Sequence, residues 1–340
     1  MNHLELNAIA RAMVAKNKGI LAADESTGTI GKRFSGIKLE STEENRRNYR
    51  ELLFTTPKLS DYISGVILYD ETIHQKTKAG VPFPAYLAQL GVVPGIKVDT
   101  GAKPLAGFPG ETITEGHDGL RERLAAYYSL GARFAKWRAV IDIGSGIPTA
   151  YAIDANAAAL ARYAALCQEA GIVPIVEPEV LMDGAHGLER CEEVTGRVLD
   201  SVFGHLFAAR VFLEGIVLKP NMVVPGKKSA EKAVPEQVAA ATVRVLKRHV
   251  PAAVPGIAFL SGGQSSVDAT HHLQLINASG PLPWTVTFSY GRALQDDALR
   301  AWSGQANAFG QGQQALFKRA KLNGLAAVGA YTSGLESAAA

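Results

Sequence analysis

Along this chain a short apolar run repeatedly gives way to a longer stretch in which apolar positions recur every three or four residues. Eight short runs stand out: Gly19–Ala23, Ile63–Tyr69, Ile96–Val98, Arg133–Trp137, Ile172–Val176, Phe212–Leu218, Gly256–Leu260 and Thr285–Phe288. Several are apolar almost throughout, as a strand covered on both faces reads. The segments between them carry helical spacing. Leu188, Cys191, Val194, Val198, Val202 and Leu206 keep it over about five turns.

Boundary residues agree with this alternation. Ser41–Glu44 reads as a capping box opening a helix that ends near Phe54. Asp154 is suited to cap a helix with Leu160, Tyr163, Ala164 and Cys167 inside, closed by Gly171. Pro235 and Glu236 start another, and Lys247, Arg248 and His249 precede its stop at Pro251. Acid at the start and base at the end suit the helix dipole. Eight strand–helix alternations, with an extra helix in front, fit a closed (β/α)₈ barrel. An open doubly wound sheet has the same alternation, and periodicity does not distinguish the two.

Composition narrows the class. With 47% hydrophobic and 20% charged residues among 340, the chain can build a large core. No compositional break divides it, so one domain over residues 1–340 is expected. The stretch 325–340, rich in Ala, Gly and Ser, is expected to be a mobile tail. A formal net charge of +3, spread along the chain, does not point to nucleic acid. Cys167 and Cys191 lie on apolar helical stripes and read as buried, reduced thiols. The N-terminus lacks a signal-peptide pattern, and nowhere do about eighteen apolar residues run unbroken. A cytoplasmic protein without membrane contact is expected.

Charge gathers where the apolar runs end. Asp24 and Glu25 follow the first run, and Lys97 and Asp99 flank the end of the third. Lys136 and Arg138 bracket Trp137, Glu177 and Glu179 follow Val176, and Lys219 follows Leu218. Charge at a barrel strand end is costly unless paired or functional, and barrel active sites sit at the C-terminal ends. Lys219 is the sharpest candidate. Burial and a nearby cation such as Lys136 favour a neutral, nucleophilic amine; an ion pair to Glu177 or Glu179 is the bland alternative. Those two glutamates share one side of their strand, where one can move protons, or both can simply neutralise the lysines.

Phosphate binding has a more specific signal. Ser261, Gly262 and Gly263 lie between an apolar run and a helix start at Ser265. Glycines there let backbone N–H groups approach an anion at a helix N-terminus. Ser289, Gly291 and Arg292 offer a second loop with a guanidinium fork. Ser26, Thr29, Arg33, Lys97 and Arg138 can hold another anionic group. No HExxH, HxxxH or CxxC pattern occurs, so no metal is expected; His186, His271 and His272 read as surface or capping residues. No dinucleotide fingerprint occurs, and no cofactor is expected.

The segments Gly19–Ile30 (GILAADESTGTI), Gly95–Asp99 (GIKVD), Phe134–Arg138 (FAKWR), Ile175–Val180 (IVEPEV), Leu218–Val223 (LKPNMV), Phe259–Ser265 (FLSGGQS) and Phe288–Gln295 (FSYGRALQ) together closely resemble class I fructose-bisphosphate aldolase. The resemblance runs from about residue 4 to residue 331 and implies the barrel rather than the open sheet. It implies a lyase that reversibly cleaves fructose 1,6-bisphosphate to dihydroxyacetone phosphate and glyceraldehyde 3-phosphate, in glycolysis and gluconeogenesis. Lys219 would form the Schiff base, Glu177 would donate a proton during dehydration, and Lys136 and Glu179 would tune the charges. Asp24 would accept the C4 hydroxyl proton. Ser261, Gly262, Gly291 and Arg292 would hold the C1 phosphate; Ser26, Thr29, Lys97 and Arg138 would face the other, with Arg33 nearby. The resemblance also implies a cytosolic homotetramer that needs no metal. One departure stands out: many animal members end in a tyrosine on a mobile tail, whereas the last tyrosine here is Tyr331.

Overall fold

Each apolar run supplies a strand, and the strands close on themselves. A computed structural model describes residues 2–338. Its strands are β1 (Gly19–Ala22), β2 (Ile63–Leu68), β3 (Val93–Lys97), β4 (Gly101–Pro104), β5 (Thr112–Glu115), β6 (Phe134–Ile141), β7 (Val173–Val180), β8 (Val217–Leu218), β9 (Gly256–Phe259) and β10 (Thr285–Tyr290). The order β1-β10-β9-β8-β7-β6-β3-β2 is a closed barrel, and every pairing within it is parallel. Closure rules out the open sheet.

Alternation along the strands divides the apolar residues into two layers. Ile20, Ala22, Ile67, Phe134, Val173, Ile175, Val217 and Ala258 form the inner cluster. Leu21, Val66, Leu68, Ala135, Trp137, Val176 and Leu218 join the outer core beneath the helices. The first helix, His3–Met13, is capped by Asn2 and sends Leu6, Ala10 and Met13 into the inner cluster. Ser64 Oγ donates to Gly19 O at 3.0 Å and also reaches Met13 O, so this helix sits at the N-terminal end of the strands. Glycine makes room for large inner side chains: a Cβ at Gly95 would lie 2.2 Å from the Phe134 ring.

Several boundaries differ from the sequence reading. β6 and β7 run on to Ile141 and Val180, in register from Phe134↔Val173 to Ile141↔Val180. Arg138, Glu177 and Glu179, which follow the apolar runs, therefore lie within strands, as Lys136 does. β8 is shorter than its apolar run, because Leu213–Gly215 forms a 3₁₀ turn. The helix Ala150–Glu169 is capped by Thr149, whose side chain accepts from Ala152 N–H at 3.2 Å; Asp154 lies inside it. The antiparallel hairpin β4–β5 was not anticipated, since its positions are polar or exposed.

The expected tail packs against the outer helices as far as it is described; residues 339 and 340 lie outside the described residues. Tyr331 is buried, and its hydroxyl donates to Glu336 Oε1 at 2.9 Å. Arg319 holds both Glu336 oxygens, at 2.7 and 2.8 Å. Cys167 and Cys191 are both buried, and burial raises both thiols. Among the described residues, no helix is long and apolar enough to cross a membrane.

Candidate active site

The C-terminal ends of the strands surround a cavity of about 610 Å³. Every residue singled out from sequence for catalysis or substrate binding lines it, from Asp24 on β1's exit to Arg292 after β10.

At its floor lies a buried charge network. Lys219 N–H donates to Val176 O at 2.8 Å, which extends the barrel ladder one residue past β8 and points the side chain inward. The lysine is 3% exposed, and its Nζ lies 3.3 Å from Glu177 Oε1. The other oxygen of Glu177 is 3.3 Å from Lys136 Nζ, which is itself 2.9 Å from Asp24 Oδ2 and 4.0 Å from Asp99 Oδ2. Glu177 thus bridges two lysines, and Lys136 bridges Glu177 to Asp24. Burial pushes the Asp24 carboxyl up, but the charges of Lys136 and Lys219 outweigh it and hold the group well below the usual carboxylate range. Burial likewise opposes the charge of Lys136, yet Asp24, Glu177 and Asp99 outweigh it and raise its ammonium above the ordinary lysine value.

Two clusters of polar donors flank this floor. On one side Gly262 and Gly263 take φ of +57° and +88°, a backbone that favours glycine, and the helix Ser266–Ala278 starts behind them. Ser289 Oγ is buried and, among the described residues, without a hydrogen-bond partner. On the other side Ser26 caps the helix Thr27–Ser35, and its Oγ lies 3.1 Å from Thr29 Oγ1. Arg138 pairs with Glu179, and Lys97 Nζ lies 3.3 Å from Asp99 Oδ1. Arg33 also lines the cavity and extends toward Gly291. Its Nη2 is 3.6 Å from where a Gly291 side chain would begin.

The position of Arg33 is set by Glu25. That buried carboxylate holds Arg33 at 2.5 Å and Arg50 at 2.6 Å, and accepts from Gln295 Nε2 at 3.1 Å. Lys32 also lines the cavity and was missed in the sequence reading. Its signal was available, one helical turn beyond Thr29 and beside Arg33. Gly101 and Ala102 of β4 were missed because the hairpin itself was. Tyr331 is not among the lining residues.

Two histidines differ from expectation. His186 is only 9% exposed. His272 turns inward and meets Gln264 Oε1 at 2.6 Å, next to the glycine loop. Adjacent helix residues point about 100° apart, so His271 and His272 could not share one surface. Burial lowers the His272 imidazole from 6.5 to about 4. A group depressed in the folded state contributes stability above its unfolded value and loses it as pH falls through the folded one. Unfolding midpoints should therefore drop between about pH 6.5 and pH 4, and less so in His272→Asn; equal acid profiles for both proteins would refute this.

The comparisons with known proteins bear on the whole chain. The family model for fructose-bisphosphate aldolase class-I matches residues 5–340. The chain belongs to the class I fructose-bisphosphate aldolases. These lyases cleave fructose 1,6-bisphosphate reversibly into dihydroxyacetone phosphate and glyceraldehyde 3-phosphate through a lysine Schiff base. A probable class 1 aldolase of Xanthomonas campestris is 61% identical over 96% of this chain and 98% of its own. A cytosolic aldolase of Arabidopsis thaliana is 55% identical over 96% of this chain and 84% of its own. The solved aldolase of Plasmodium falciparum superposes with a TM-score of 0.96 at 50% identity, covering 98% of this chain and 96% of that one.

Proposed function

We propose that Lys219 is the Schiff-base lysine of this aldolase and that Glu177, Lys136, Asp24 and Glu179 complete its catalytic set. One observation carries the reading: buried Lys219, Glu177 and Lys136 and the partly exposed Asp24 form a continuous chain of charges, with contacts of 3.3, 3.3 and 2.9 Å. Lys219 gives up a proton to Glu177 and attacks the C2 ketone of the open-chain sugar. Glu177 returns a proton to the C2 hydroxyl, which leaves as water and forms the protonated imine.

The imine draws electrons from the C3–C4 bond. Asp24, held ionised, accepts the C4 hydroxyl proton, and the bond breaks. Glyceraldehyde 3-phosphate departs. The enamine left on Lys219 is protonated at C3 and hydrolysed to dihydroxyacetone phosphate. Lys136 keeps Asp24 ionised and orients Glu177, and Glu179 holds Arg138 in place.

Ser261, Gly262, Gly263, Ser289, Gly291 and Arg292 take the C1 phosphate, and Ser26, Thr29, Lys97 and Arg138 the C6 phosphate, joined by Lys32; Arg33 serves the space between. The family resemblance further supports a cytoplasmic homotetramer, and one relative carries the name cytosolic. Borohydride reduction in the presence of dihydroxyacetone phosphate, followed by peptide mapping, should place the adduct on Lys219. An adduct found only on Lys97 or Lys136 would overturn the assignment.

A further inference from the structure

A second cation stands beside the glycine loop, and the mechanism above does not use it. A Cβ on Gly263 would lie 2.6 Å from Lys227 Nζ and 3.3 Å from Arg292 Nη2. The two cations converge on one point, Lys227 from the loop beyond β8 and Arg292 from the first turn of the helix Arg292–Trp302. Like charges so placed repel unless an anion stands near them. The anion here is Asp183, whose Oδ1 accepts from Lys227 Nζ at 2.8 Å. The Lys227 hydrogen bond, against some burial and helped by the Arg292 and Lys228 charges, lowers the Asp183 carboxyl below its ordinary value.

Backbone contacts fix where this pair stands. Gly226 N–H donates to His186 O at 2.8 Å, Lys227 N–H to Met182 O at 2.7 Å, and Lys228 N–H to Gly184 O at 3.0 Å. A Cβ on Gly226 would sit 2.2 Å from Gly184 O, so the loops meet this closely only because residue 226 is glycine. The side chains are freer than the backbone: that of Lys227 is 42% exposed and that of Asp183 60%. A fixed root with an exposed ammonium lets the lysine change partners without moving the loop.

We infer that Lys227 is a phosphate-recognition residue of the C1 grip, held ready by Asp183 and handed to the phosphate when the sugar binds. The inference rests on the aldolase reading, which assigns that grip to phosphate. A phosphate at the glycine loop offers more charge and more acceptor oxygens than one carboxylate, and it lies within reach of Arg292 as well. Asp183 is then a competitor for Lys227, and the two residues oppose each other in substrate affinity.

That opposition is the test. Lys227→Met should raise KM for fructose 1,6-bisphosphate by about three- to tenfold, the range for losing one charge-assisted contact, with kcat nearly unchanged. Fructose 1-phosphate, which carries the same phosphate, should shift by the same factor. Asp183→Asn should lower KM about twofold, as expected for removing one exposed competing charge, and Lys227→Arg should stay close to the parent. Calorimetric binding of inorganic phosphate should weaken in Lys227→Met whether or not cleavage occurs. Unchanged KM and unchanged phosphate binding in Lys227→Met would overturn the inference. So would a shift in the same direction for Lys227→Met and Asp183→Asn, the mark of a merely structural pair. Absence of cleavage and of a borohydride adduct in the parent protein would instead strike the aldolase reading, and phosphate binding would still decide Lys227.

Discussion

Lys219→Arg is expected to lower kcat by about four orders of magnitude or more, the scale of losing a covalent nucleophile, while leaving the protein folded. Arginine keeps a positive charge beside Glu177, so the ion pair at 3.3 Å has a successor. A guanidinium stays protonated in proteins and offers no amine to attack a ketone. The substitution thus removes bond formation and spares charge pairing. Lys219 is 3% exposed, so the bulkier side chain adds overpacking of about 1–3 kcal/mol. Lys219→Met, similar in length and unreactive, controls for that strain. Circular dichroism should show both variants folded, and neither should trap dihydroxyacetone phosphate with borohydride. Retention of even about a hundredth of parental kcat by Lys219→Met would contradict the covalent mechanism, since that is only about 2.7 kcal/mol of barrier.

Lys136→Met should act on both stability and catalysis. Lys136 lies within 4.0 Å of Asp24, Asp99 and Glu177, and its removal leaves buried carboxylates short of a partner. Breaking a buried pair in this way costs about 3–5 kcal/mol, far more than a surface pair is worth. In the parent the Asp24 carboxyl is depressed, so its contribution is present above the unfolded value and fades as pH falls into the acid range. Without Lys136, burial dominates and the carboxyl moves upward. The stability gap between variant and parent should therefore be widest near neutral pH and narrow in acid. The acid limb of kcat/KM should also move toward neutrality, because in the proposed mechanism Asp24 must be ionised to accept the C4 hydroxyl proton. Urea midpoints and pH–rate profiles measure the two effects; a midpoint equal to the parent's at pH 7 would mean that the network is not the buried unit described above.

The strands were legible because they are covered on both faces, so runs such as Ile172–Val176 are apolar at every position. Their closure into a barrel was not, since an open sheet shows the same runs; it rested on the family resemblance. Nor was the full length of β6 and β7 legible, since Arg138, Glu177 and Glu179 alternate with apolar residues and end the uninterrupted runs. Their alternation is what aims them into the cavity. Asp154 lost the capping position to Thr149 because both are good caps a few residues apart, and only the helix start decides between them. Glu25 and Arg50 could be noticed as charges, but their joint hold on Arg33 depends on a contact between distant segments. Lys227 belongs to the same class. It is eight residues past Lys219, and nothing in that spacing places it beside Gly263.

The helix His3–Met13, seated against the inner cluster at the N-terminal end of the strands, also shapes access to the site. Traffic into and out of the catalytic chamber is confined to the opposite mouth. Sugar, aldehyde and water therefore share one entrance. Beneath the charge network, the inner side chains and the helix leave the barrel apolar and closed to its far end. The chamber is thereby a blind pocket, with chemistry at its open end and packing at the other.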